Sequence, residues 1–220
     1  DSIGKWATEL GITSVTGEDD LFVFPKRIDL LRLRIGKTRP LVTGDLVREW
    51  QVYDLPEAVW LYDDTLKLLD LGSLPTTAQL FWSYRASISR RKRFGTPMVE
   101  RGLTWYEWQE LYPNKLKTPL SITFAFVATH NHFVIDHGAK VFKQSAPVIK
   151  LKPEATFEQH VRFVGVLNSS ASCFWLKQVA HNKGSTVDAH GARQRTAAFE
   201  DFYEFTATQL ANFPIPTRQP

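Results

Sequence analysis

The chain has 220 residues, 43% hydrophobic and 13% aromatic, with 27 Lys and Arg against 23 Asp and Glu for a net charge of +4. That is apolar content for one packed domain and excludes a disordered chain. A single cysteine, Cys173, excludes an internal disulfide or a multi-cysteine zinc site and fits a reducing, cytoplasmic setting, while apolar runs such as Ile122 to Val127 are too short to span a bilayer.

Residues 1–20 are polar, with Gly4, Gly11 and Gly17, and read as loops or a loosely attached arm. Leu21 to Phe24 is an apolar run stopped by Pro25, a strand; Ile28 to Ile35 reads as an edge strand or a short helix. Residues 1–38 are thus an N-terminal arm or edge segment, and 39–220 the main unit. Gly44 to Trp50 suits one or two helical turns, and Ala58 to Tyr62 a strand with a turn at Asp63-Asp64. Ser73 to Arg93 predicts the longest helix, with Ser73 as cap, Pro75 in the first turn and Gly95 after its end. Leu80, Phe81, Tyr84 and Ile88 share one face of it, and Trp82 is expected in the core.

Trp105 to Leu111 predicts a short aromatic helix ended by Pro113. Ile122 to Val127 and Phe133 to Asp136 are two strands joined through Thr129-His130-Asn131, and Ala146 to Leu151 is a third. Thr156 with Gln159 predicts a capping box, after which Phe157, Val161 and Val164 recur at helical spacing. Asn168-Ser169-Ser170 breaks that helix. A second one carries Phe174, Trp175 and Val179 to about His181, followed by a polar loop over 182–197 and an aromatic, acidic stretch from Phe199 to Phe205. The pattern predicts a mixed α+β fold, with a central, mostly antiparallel sheet flanked by helices.

No Walker A loop, G-x-G-x-x-G fingerprint or G-x-S-x-G elbow occurs, so nucleotide hydrolysis, dinucleotide binding and α/β-hydrolase chemistry lack their cues. His130-Asn131-His132 spells HNH, but the nuclease of that name spreads its residues over a ββα unit, so a contiguous tripeptide is not its signature. The two histidines fall on one side of an ideal strand and could chelate a metal with Asp136 or His137; a metal-dependent nuclease is the alternative reading. Arg85, Arg90, Arg91, Lys92 and Arg93 form a basic run suited to phosphate contact, or to a solvated helix end. Lys140 and Lys143 fit phosphates, Gln144 can pair with adenine, and His181, Asn182 and Lys183 offer polar side chains on a loop.

At these residues the sequence resembles a known family. Leu116 to Leu151, with its K-V-F-K-Q-S-A-P-V-I-K-L ending, and Val166 to Gly184, with L-N-S-S, F-W-L-K-Q-V and H-N-K-G, are similar to the C-terminal region of PglX-like adenine-specific DNA methyltransferases of BREX and phage-growth-limitation defence systems. R-P-L-V-x-G-x-x-V-R-x-W, Arg39 to Trp50, fits the same family and, more loosely, TaqI-like and type IIG recognition domains, as do the Leu167-Asn168-Ser169 turn and Pro214-Ile215-Pro216. The resemblance implies an upstream methyltransferase domain that binds S-adenosylmethionine and holds a flipped adenine with an Asn/Asp-Pro-Pro-Tyr/Phe motif. That tetrapeptide is missing here, and Asp1 is not a natural start, which suggests a piece of a longer protein. What the family implies for this chain is a recognition domain for double-stranded DNA, non-catalytic by itself. It would be partnered by the methyltransferase domain and by other defence proteins. A protein-docking module of such a system is a further alternative, and predicts an exposed apolar patch without a basic cleft.

Overall fold

The computed structural model describes residues 1–117, 120–184 and 201–216. The chain opens with a helical turn, α1 (Ile3–Trp6), and a strand, β1 (Ala7–Gly11). β2 (Ser14–Val15), α2 (Asp19–Phe22), β3 (Val23–Phe24) and α3 (Arg27–Arg32) follow. Next come β4 (Thr38–Val42), β5 (Val47–Arg48), β6 (Gln51–Val52), β7 (Glu57–Val59), α4 (Pro75–Ser83) and α5 (Arg85–Ile88). β8 (Lys92–Arg93), β9 (Thr96–Pro97) and β10 (Glu110–Leu111) lead to β11 (Ser121–Phe124), β12 (Val127–Ala128), β13 (Phe133–Asp136), β14 (Val141–Phe142) and β15 (Val148–Leu151). α6 (Phe157–Leu167), α7 (Ser170–Val179), β16 (His181–Gly184), β17 (Phe202–Glu204) and α8 (Ala207–Ala211) complete the described elements.

The mixed α+β class with mostly antiparallel strands is what forms. The strands are shared between two four-stranded sheets, ordered β1-β15-β11-β13 and β14-β4-β7-β3, with a three-stranded β12-β17-β16 sheet beside them. Among the described strand pairs β4 and β14 run parallel, with Val141 opposite Leu41 and Phe142 opposite Val42. Successive side chains of a strand point to opposite faces. Val141 and Leu41 therefore enter one apolar core, with Trp60, Phe81 and Trp108, whereas Phe142 and Val42 enter the other, with Phe124, Phe133 and Leu167. The β4–β14 ladder is the wall between two cores. Thr13 Oγ1 and Ser14 Oγ both donate to the Phe142 carbonyl, at 2.8 and 2.6 Å, and tie the N-terminal strand to it.

The first residues are not loops. Ile3 is fully buried, and β1 is the edge strand of the first sheet, paired antiparallel with β15. Gly11 serves a positive φ of 125° at the strand end rather than a loop. The apolar run 21–24 divides between a helical turn and a two-residue strand, and Ile28 to Arg32 falls in the short helix α3. Gly44 to Leu46 forms one helical turn, then the chain enters β5.

The long helix predicted from Ser73 to Arg93 is broken at Tyr84, where φ is −106° and ψ is 7°. Ser73 Oγ bonds the Asp70 carbonyl in a preceding turn and caps nothing. Lys92 and Arg93 belong to a hairpin whose two-residue loop, Phe94-Gly95, takes φ of 47° and 85°, the left-handed pair that a tight hairpin requires. Phe81 and Ile88 are buried as expected, but Trp82 is 63% exposed. Trp105 to Trp108 is irregular rather than helical, and Glu110-Leu111 pairs with β2.

Thr156 and Gln159 form the capping box of α6 with both bonds in place. Its buried stripe is His160, Phe163, Val164 and Leu167: Val164 is buried as expected, but the stripe is rotated so that Phe157 and Val161 stay exposed. α6 ends at Asn168, and Ser169 caps α7 by accepting from the Ser172 amide. Asn168 also pairs with Phe133 like a strand residue: its Oδ1 accepts from the Phe133 amide at 2.9 Å and its Nδ2 donates to the Phe133 carbonyl at 2.8 Å. Of the polar loop expected at 182–197, the first residues form β16, and 185–197 lie outside the described residues, as do 199 and 200. Among the described residues no helix is long and apolar enough to cross a membrane.

Gly44 explains the glycine of the R-P-L-V-x-G motif. A Cβ there would stand 2.2 Å from the Ser145 carbonyl oxygen, while the Gly44 amide donates to Ser145 Oγ at 3.0 Å. Backbone cannot yield as a flexible side chain does. Gly44→Ala is expected to destabilise the fold by about 2 kcal/mol, read as a lower urea midpoint at unchanged slope.

Candidate nucleic-acid interface

A cleft of about 680 Å³ opens where the two sheets meet. Six cationic side chains line it, Arg39, Lys67, Lys115, Lys117, Lys140 and Lys150, against the carboxylates Asp64 and Asp136. Local contacts hold several of them. Asp63 Oδ1 accepts from the Thr65 and Lys67 amides at 2.8 and 3.0 Å, closing the turn that presents Lys67. Gly138 and Ala139, at φ of 109° and 65°, fold the chain back after β13. Asp136 then accepts from the Gly138 amide at 2.9 Å and pairs with Lys140 at 2.5 Å. The Arg39 guanidinium lies 4.4 Å from the Trp60 ring centroid, and burial lowers its pKa against the opposing pull of Asp64.

Lys150 forms the floor. It is 3% exposed, and its ammonium donates to the Leu120 carbonyl at 3.1 Å and to Ser121 Oγ at 2.6 Å. Burial brings its pKa down to about 8, against the attraction of Asp136. A concave surface with this excess of positive charge concentrates anions at its mouth.

A second depression gathers Lys92, Arg93, Lys143 and Gln144 with Phe94 and Gln109. The structure thus brings together two stretches of sequence-predicted residues, 92–93 and 143–144. Lys143 pairs with Asp19 at 2.5 Å and Arg93 with Glu110, while Lys92 and Gln144 are exposed. Phe94, 93% exposed at the hairpin tip, lies with its ring 4.9 Å from the Arg93 guanidinium. Arg85 and Arg90 are exposed, and Arg85 covers the outward-facing Trp82 at 4.5 Å.

Arg91 departs from the expected phosphate role. It is 6% exposed, and its guanidinium donates to four carbonyls: Ile88 at 2.9 Å, Thr16 at 2.6 Å, Trp105 at 3.0 Å and Glu107 at 2.7 Å. Burial lowers its pKa to about 10. A delocalised, five-donor cation can bind four carbonyls on three stretches of backbone that no neutral side chain could satisfy together.

The His130-Asn131-His132 turn divides by role. Asn131 is 4% exposed and donates to the Leu167 carbonyl, so its amide is structural. His130 is exposed, His132 is buried, and their rings lie 4.2 Å apart. Glu49, which sequence reasoning passed over, reaches both: Oε1 lies 2.8 Å from His130 Nε2 and Oε2 3.0 Å from His132 Nδ1. Burial works against the Glu49 carboxylate, but its own backbone amide and the two histidines outweigh it and lower its pKa; burial lowers that of His132. Asp136, considered as a third ligand with the histidines, sits in the basic cleft, because four residues of strand carry it about 13 Å along β13. His137 lines that same cleft.

His181, Asn182 and Lys183 lie on β16 rather than on a loop. Asn182 Nδ2 donates to Asp201 at 3.0 Å and Lys183 pairs with Glu204 at 2.5 Å, while His181 is exposed. Lys67, Lys115, Lys117 and Lys150 were not singled out from sequence. Their spacing carries no motif, and only the fold collects them.

Arg91→Ala is expected to lower stability by about 3 kcal/mol or more, since the Trp105 and Glu107 carbonyls lose their donor and the Ile88 and Thr16 carbonyls lose one of two, whereas Arg90→Ala changes it by less than about 0.5 kcal/mol. Thermal unfolding of the two variants separates the roles.

No family model matches the chain. An adenine-specific methyltransferase PglX of Streptomyces coelicolor is 37% identical over 214 residues, which is 96% of this chain and 18% of that protein. The chain therefore spans about a fifth of the length of that curated relative. Among solved structures, the type IIL restriction-modification enzyme MmeI in complex with DNA superposes with a TM-score of 0.63 at 12% identity, covering 96% of this chain and 25% of MmeI. At that identity the likeness is one of fold. The chain is thus a relative, along nearly its whole length, of one segment of a PglX-type adenine-specific methyltransferase, as its motifs implied.

Proposed function

We propose that this chain recognises double-stranded DNA as the target-reading segment of an adenine-specific methyltransferase. The observation that carries the reading is the basic cleft, with six cationic side chains on fixed backbone. Phosphate contacts supply affinity and register; base contacts supply sequence. In this division Lys67, Lys117 and Lys140 take phosphates, and Gln144, with its amide exposed beside Lys143, reads a base edge. Lys92 and Arg90 extend the phosphate track, and the exposed Phe94 ring suits stacking on a base. His181 is exposed and suited to polar contacts at the margin.

Two observations from relatives support the reading. The PglX relative is named for adenine-specific methylation, and the MmeI fold was solved with DNA. On this reading S-adenosylmethionine and the methyl-transfer chemistry belong to the parent methyltransferase, and this chain supplies target contacts. The protein-docking alternative predicted no basic cleft, so the cleft favours DNA.

The test is duplex binding by fluorescence anisotropy across a salt series. The double variant Lys67→Ala/Lys117→Ala is expected to weaken binding at all sequences and to lower the salt slope by about one per phosphate lost. Gln144→Ala is expected to relax preference at one base position by about 1–3 kcal/mol with little change of slope. Unchanged affinity and slope in the lysine variant would remove the cleft from the interface.

A further inference from the structure

We propose that Glu49, His130 and His132 form a site for one divalent ion of the zinc class. Two imidazoles and one carboxylate are a donor set that zinc accepts and that magnesium and calcium, which prefer oxygen throughout, do not favour. The ligands come from two separate segments. Glu49 stands in the two-residue turn between β5 and β6, and the histidines flank Asn131 ahead of β13.

The geometry is near that of an occupied site. The candidate donor atoms all lie within 4.8 Å of one another. Each histidine nitrogen is 2.8 or 3.0 Å from a Glu49 oxygen. Donors around a tetrahedral zinc ion at about 2.0–2.2 Å stand about 3.3 Å apart, so small outward rotations admit the ion. His132 Nδ1 is buried, and despite the nearby carboxylate it makes no well-directed hydrogen bond. A buried ring nitrogen without a directed partner is uncommon, and a metal ion satisfies it.

The surroundings hold the ligands in place. His130 Nδ1 lies 3.0 Å from Thr129 Oγ1, a contact that orients the ring and leaves Nε2 facing Glu49. Asn131, between the two histidines, is anchored on the Leu167 carbonyl, and the Trp50 amide, next to Glu49, reaches the Phe133 carbonyl at 3.4 Å. Three protein ligands leave a fourth position facing a depression lined by Asp45, Arg48, Phe126, Ser145 and Phe202. An ion here would clamp the β5–β6 hairpin to the β12–β13 connection, with one coordination site left for water or an anionic ligand.

The test uses the 220-residue chain, stripped with a chelator and titrated with Co²⁺ by visible absorption and with Zn²⁺ by calorimetry. One equivalent of each metal is expected to bind, with the strong d–d bands of tetrahedral cobalt. Glu49→Gln keeps the side-chain shape, and His130→Ala alters an exposed residue. Each is expected to weaken Zn²⁺ binding by at least about ten-fold while the circular dichroism spectrum stays unchanged. No saturable uptake by the unaltered chain, or binding of equal strength in both variants, would overturn the site.

Discussion

The structure depends on the parallel ladder between β4 and β14. It joins residues about a hundred positions apart in sequence, and its two faces belong to different cores. After β13 the chain leaves the first sheet, lends Val141 and Phe142 to the second, and returns to the first as β15. This excursion stitches the two sheets together. Its parallel sense is imposed by topology, since both strands enter the wall from the same side. A ladder of two residues would be marginal by itself. Gly44 packed on Ser145 and the two hydroxyls on the Phe142 carbonyl reinforce it.

The same excursion places the functional candidates. Asp136 to Lys140 edge the basic cleft, Lys143 and Gln144 edge the second depression, and Ser145 edges the depression beside Glu49 and the histidines. A polar connection that must cross from one sheet to another is exposed along its length but fixed at both ends. Such loops suit recognition, because side chains can vary without disturbing either core. The R-P-L-V-x-G motif and the K-V-F-K-Q-S-A-P segment are then two halves of one assembly, since Leu41 opposes Val141, and Gly44 meets Ser145.

Charge in this protein is divided by burial. Arg91 is an interior tie, Arg93, Lys143 and Lys183 are matched by carboxylates, and Lys67 and Lys117 are exposed at the cleft. Exposed pairs contribute little to stability, so Lys143–Asp19 and Lys183–Glu204 set orientation more than energy, whereas Arg93–Glu110 is largely buried. A linear run of arginines cannot display this division. Arg91 is separated by 75 residues from Thr16, whose carbonyl it binds.

What was legible in the sequence was local. The capping box at Thr156, the break at Asn168 and the strand at 133–136 follow rules that span a few residues, and they form as read, whereas the strands read at 122–127 and 146–151 are shorter, 121–124 and 148–151, with Val127 in a separate strand. What was not legible needs distant partners. Trp82 faces outward because the face of α4 carrying Thr77 and Phe81 meets the core, and α6 turns His160 and Phe163 inward because the sheet and Trp6 lie on that side. Glu49 could not be matched to the histidines without the hairpin that carries it across. The family resemblance rests on short strings of residues, yet several of those residues, Asn131 and Asn168 among them, serve the scaffold. The most direct measurement of the central claim is hydrogen–deuterium exchange of this chain with and without duplex DNA. Protection is expected over residues 136–145 and around Lys67 and Lys117. Protection confined to the outer faces of α6 and α7, with 136–145 unchanged, would contradict the account.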